Sequence, residues 1–73
     1  MLRGVLETEQ TKQKIVNVMR QLLNDRERLS KAKVARQALK KHRGNLTQHT
    51  DDTLKRFGLS WEALVHEAES SEK

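Results

Sequence analysis

Between Thr11 and Asn24 the apolar residues Ile15, Val16, Val18, Met19, Leu22 and Leu23 project within about 160° of one another at ~100° per residue, leaving Asn17, Arg20, Gln21 and Asn24 opposite. The spacing predicts an amphipathic helix over 11–24. Thr8 or Thr11 is its expected cap, Glu7 and Glu9 suit its positive end, and Asn24-Asp25 is its stop. Leu29-Ser30 followed by Val34 reads as a second start, with Ser30 the N-cap and Leu29 stapled onto Val34. That helix is expected from about Lys31 to His42, with Ala32, Val34, Ala35, Ala38 and Leu39 on one face. Arg43-Gly44-Asn45 is a turn signal in which Gly44 takes positive φ and Asn45 or Thr47 caps a third helix. This third segment is either one helix from Thr47 or a loop and a short helix from Thr50, with Asp51 and Asp52 at its positive end, Lys55 and Arg56 at its negative end and Gly58 closing it. Leu59-Ser60 with Leu64 repeats the staple and cap, and opens a last helix carrying Trp61, Leu64, Val65 and Ala68.

No alternating β-branched or aromatic run and no proline interrupt this pattern, so the expected fold is all-α, a small bundle of three to four short helices with a helix-turn-helix-like unit. Residues 1–10 read as a flexible N-terminal segment, 11–69 as a single helical domain, and 70–73 as a disordered tail. Leu2, Val5 and Leu6 are candidates to add to a dimer interface.

Size then narrows the function. At 73 residues, with Leu, Ile, Val and Phe making up 17 of them, the core is lean, and dimerisation or folding on a partner is expected to supplement it. A chain this short has no room for a multidomain enzyme or a water-excluded catalytic pocket. Cysteine is absent, which removes disulfides and thiolate metal sites and points to an intracellular, cytoplasmic setting. No run approaches the ~18 apolar residues that span a bilayer, and residues 1–10 lack the apolar core of a secretory signal.

The net charge of +5 hides a strong asymmetry: residues 31–56 carry eight basic and two acidic side chains, whereas 57–73 carry one and four. From Lys31 to Arg43 the basic residues Lys31, Lys33, Arg36, Lys40, Lys41 and Arg43 have no acidic neighbour in sequence. Like charges gathered on one helix face repel unless a polyanion compensates, and each phosphate so neutralised releases condensed counterion. The expected partner is therefore double-stranded DNA.

Residues 29–49, LSKAKVARQALKKHRGNLTQH, resemble the helix-turn-helix of TetR-type and related regulators of bacteria, phages and plasmids, and the preceding TKQKIVNVMRQLLN is similar to their first helix. Val34-Ala35 and Ala38 match the small apolar positions of the bracing helix, and Arg43-Gly44-Asn45-Leu46-Thr47 matches the start of the recognition helix. Leu39 stands where the family usually has glycine, and the turn through Lys40, Lys41 and His42 is a residue longer. The resemblance implies a dimeric transcriptional regulator or a plasmid or phage accessory factor, in a bacterial cytoplasm or that of a host. Asn45, Thr47, Gln48 and His49 are then the base-edge candidates, with Asn45 and Thr47 alternatively acting only as helix caps. Lys31, Lys33, Arg36, Lys40, Lys41 and Arg43 would hold phosphates. A second helix-turn-helix spanning Thr50–Glu69 would put Glu62, Glu67 and Glu69 against phosphate, so that segment is assigned to packing.

The alternative class is a helical protein-interaction module, an inhibitor or adaptor, whose apolar helix Thr11–Leu23 docks on a partner while the basic face meets an acidic protein surface. Other chemistry is poorly served. His42, His49 and His66 lack metal-ligand spacing, no Gly-rich phosphate loop exists, and no cofactor is expected. With Phe57 and Trp61 the only large aromatic residues, the chain lacks stacking platforms for single strands or RNA, and an Ala-rich apolar face does not suit membrane insertion.

Overall fold

Ser30 and Asn45 each open a helix by the same device, a side-chain oxygen that accepts the amides left over in the first turn. Ser30 Oγ accepts from Ala32 N–H at 3.2 Å, and Asn45 Oδ1 accepts from Gln48 N–H at 3.0 Å. A computed structural model describes residues 2–70 of the chain, with side chains from Leu6 onward. Four helices make up the fold: α1 (Leu2–Asn24), α2 (Lys31–Gln37), α3 (Leu46–Phe57) and α4 (Trp61–Ser70). No strand occurs among the described residues, and the architecture is all-α as the hydrophobic pattern predicts.

Two helix boundaries depart from the expectation. Helix α1 begins at Leu2, so residues 2–10 belong to it and neither Thr8 nor Thr11 is a cap. Propagating an existing helix adds one hydrogen bond per residue fixed without a new nucleus, and no proline stops it. Helix α2 ends at Gln37, five residues short of His42. Beyond Leu39 the inward positions fall on Lys41 and His42, which offer no apolar surface to bury, and Arg36 and Lys40 would repel at i,i+4 spacing. Helix α3 is one continuous helix with Asn45, one of the two expected caps, at its start; Asp51 and Asp52 therefore sit in its middle and not at its positive end. Of the other assignments, the side chains of Leu2 and Val5 and the tail at 71–73 lie outside the described residues.

Each of the first three helices is followed within three residues by a left-handed residue. After α1, Arg26 takes φ 62° so that Glu27 N–H reaches Leu22 O at 2.8 Å. After α3, Gly58 at φ 67° lets Leu59 N–H reach Leu54 O at 2.8 Å. After α2 the turning residue is Lys40 at φ 57°, and Lys41 N–H donates to Ala35 O at 3.0 Å. Only the glycine adopts this geometry freely; elsewhere it costs about 1–2 kcal/mol per residue.

The core draws Ile15, Val16 and Met19 from α1, Val34 and Ala38 from α2 and its end, Leu54 from α3, and Leu64 and Ala68 from α4. Packing is pairwise: α2 rests mainly on α3 and α1 on α4, with a narrower contact between α1 and α2. The result is a slab of 37 × 32 × 17 Å whose long dimension matches the ~34 Å of a 23-residue helix. Thr50 is completely buried, and its hydroxyl donates to Lys31 O at 2.7 Å, tying the middle of α3 to the first residue of α2. That bond and the Val34–Leu54 side of the core fix how α3 is presented to solvent.

Candidate nucleic-acid interface

The surface at issue consists of the outer side of α2, the segment 38–45 and the outer side of α3. On α3, Thr50 and Leu54 face inward, so at ~100° per residue Gln48, Asp52, Lys55 and Arg56 form the opposite face, and all four are exposed. Thr47, one position past the first residue of α3, is exposed as well, while His49 is half-buried. Arg36 on α2 and Lys40, His42, Arg43 and Gly44 in the connecting segment are exposed, and Lys41 is half-buried. Gly44 takes φ 81°, as the turn into Asn45 requires.

The six expected phosphate contacts divide into two groups. Lys31 is engaged inside the fold: its Nζ lies 2.8 Å from Asp51 Oδ1 and 5.7 Å from the centre of the Trp61 ring, linking α2 to both α3 and α4. Lys33 Nζ pairs with Glu27 Oε1 at 2.8 Å, just ahead of the Ser30 cap. Both are partly exposed pairs of the kind worth at most about 1 kcal/mol, so they orient the lysines more than they stabilise the fold. Arg36, Lys40, Lys41 and Arg43 have no carboxylate within ion-pair distance among the described residues. No carboxylate of the described fold neutralises their charge.

Among the base-edge candidates, Asn45 is occupied as the cap of α3 through Oδ1, with its amide nitrogen still able to donate outward. Gln48 Nε2 donates to Asp52 Oδ1 at 2.9 Å. Thr47 presents its hydroxyl beside the cap, and His49 contributes its backbone carbonyl to Thr53 Oγ1 at 2.9 Å.

Asp52, Lys55 and Arg56 belong to the same exposed face, and the sequence pattern does not single them out as site residues. Lys55 and Arg56 lie at the negative end of α3, as expected, and this role conceals their place on the outer face. Counting i, i+4, i+7 and i+8 from Gln48 along the one continuous helix finds all three. Arg56 also sits 5.9 Å from the Phe57 ring.

Elsewhere, the described residues contain no grouping of three or more His, Asp or Glu side chains able to hold a metal ion, and no helix long and apolar enough to cross a membrane. A shallow depression of about 470 Å³ runs along α4, lined by Trp61, Glu62, Val65, His66 and Glu69. It carries the acidic charge of the last segment and lies on a different helix from the basic surface. No known family model, curated protein or solved structure matches the chain.

Proposed function

We propose that the protein binds double-stranded DNA through α2, the 38–45 segment and α3, with α3 as the helix that enters the major groove. The observation that carries this reading is the group Arg36, Lys40, Lys41 and Arg43, unpaired by carboxylates among the described residues and borne by α2 and the segment that leads into α3. Lys55 and Arg56 extend the same charge to the other end of the helix. Cations at both ends of an exposed helix suit the backbones flanking a groove, and polar side chains between them suit base edges.

On this reading the protein is a small helix-turn-helix regulator or accessory factor resembling the TetR-type units, working in a cytoplasm and using no cofactor. It acts as a homodimer, and Leu6, 58% exposed on the first half of α1, is the exposed large apolar side chain among the described residues that a second copy could cover. The protein-docking alternative is less well served. Ile15, Val16, Met19 and Leu22, the apolar face a partner would grasp, are 0–1% exposed because this chain's own core already covers them.

The test is the paired charge reversal Arg36→Glu/Lys40→Glu. Both side chains are exposed, so helix content by circular dichroism should not change. Loss of two phosphate contacts should weaken duplex binding at least about fiftyfold at ~0.1 M salt. A reversed protein that folds and binds duplex as tightly as the parent overturns the proposal.

A further inference from the structure

The exposed face of α3 carries a carboxylate, Asp52, between the cations of the site, which is an unfavourable place for a negative charge if that face meets only phosphates. Its side chain accepts from Gln48 Nε2 at 2.9 Å, one helical turn away. A carboxylate only accepts, so this contact fixes which way the Gln48 amide is turned: the nitrogen toward Asp52. One amide N–H is thereby committed. Left over are the second N–H and Oε1, one donor and one acceptor on an exposed side chain of the N-terminal half of α3.

Resting on the DNA-binding reading above, we infer that Gln48 recognises an adenine in the major groove and that Asp52 is its positioning residue. Adenine presents N7 as acceptor and N6–H as donor on its major-groove edge, which the amide N–H and Oε1 match. A freely rotating glutamine gives up side-chain rotamer freedom on binding and can present either end of its amide; one already held by Asp52 avoids much of that loss and favours a single arrangement. This accounts for a carboxylate on a surface otherwise rich in positive charge: it holds the reading side chain.

Asp52→Asn and Asp52→Ala separate positioning from charge, because both remove the negative charge but only asparagine keeps an oxygen to accept from Gln48 Nε2. Binding sites would be enriched from a random duplex pool with the parent protein, Gln48→Ala, Asp52→Asn and Asp52→Ala, with helix content checked by circular dichroism. The parent should prefer adenine at one position per half-site by about tenfold, and Asp52→Asn, whose amide can also donate to Gln48 Oε1 and hold the reverse arrangement, should keep part of that preference. Gln48→Ala and Asp52→Ala should lose that preference, and both Asp52 variants should bind duplex overall more tightly than the parent. The same adenine preference in all four proteins, or a different base at the Gln48-dependent position, overturns the assignment while leaving DNA binding intact. Failure of the parent to enrich any duplex overturns the function itself, and the assignment with it.

Discussion

Replacing Lys40 by glycine should move stability and DNA binding in opposite directions. Lys40 is held at φ 57° to turn the chain out of α2, a conformation that costs a side-chain-bearing residue about 1–2 kcal/mol. Glycine removes that strain but loses more backbone freedom on folding, an offset of about 0.5–1 kcal/mol. The net expectation is a gain of about 0.5–1 kcal/mol, which in a domain of this size raises Tm by roughly 3–6 °C. Lys40 is also exposed and without a carboxylate partner among the described residues, so under the proposed DNA binding the same change should remove one phosphate contact. The log–log salt slope should become shallower by about 0.9, and affinity at ~0.1 M salt should fall roughly eightfold. Thermal unfolding followed by circular dichroism reads the first effect and fluorescence anisotropy with a labelled duplex reads the second. Lys40→Asn, which tolerates the left-handed region, should show a smaller Tm rise with the same binding loss. Lys40→Arg should change neither. A lower Tm for Lys40→Gly would mean that α2 continues through Lys40; unchanged binding would mean that the turn does not touch the phosphates.

Other changes probe separate parts of the molecule. Thr50→Val keeps the shape but removes the bond to Lys31 O, and should lower stability by about 1 kcal/mol in chemical denaturation; no change would show that α2 and α3 are not locked there. Gly58→Ala meets open space but retains φ 67°, so its cost of about 1 kcal/mol should be conformational alone, and a neutral result would contradict the left-handed closure of α3. Asn45→Asp preserves a capping oxygen and should leave Tm within a few degrees while weakening duplex binding, whereas Asn45→Ala should lose about 1 kcal/mol of stability; equal Tm values for the two variants would refute the cap.

Helix existence is legible in the sequence wherever a cap coincides with an apolar repeat. Ser30 with Val34, Ser60 with Leu64, and Gly58 after Phe57 all mark real boundaries, because each signal reports a local hydrogen bond made by neighbouring residues. Boundaries set by packing are not legible. The end of α2 depends on whether Lys41 and His42 find anything to bury against, and the start of α1 depends on how far an uninterrupted helix propagates. The basic character of the site is readable from the run Lys31–Arg43, but its division is not. Lys31 pairs with Asp51 twenty residues later, and Lys33 pairs backward with Glu27 across the loop, contacts that only the folded arrangement of α2 and α3 decides. The Gln48–Asp52 pair lies within reach of i,i+4 reasoning on the single-helix alternative, and only the alternative start at Thr50 hides it by placing Asp52 in a first turn.

The most direct test of DNA binding is fluorescence anisotropy of the purified protein with a labelled mixed-sequence duplex and the matching single strand, between about 50 and 200 mM salt. Six available cations, Arg36, Lys40, Lys41, Arg43, Lys55 and Arg56, predict a log–log slope near −5, so duplex affinity should fall about a thousandfold across that range and exceed affinity for the single strand. Absence of duplex binding at ~50 mM salt, or binding indifferent to salt, would contradict DNA binding through this surface.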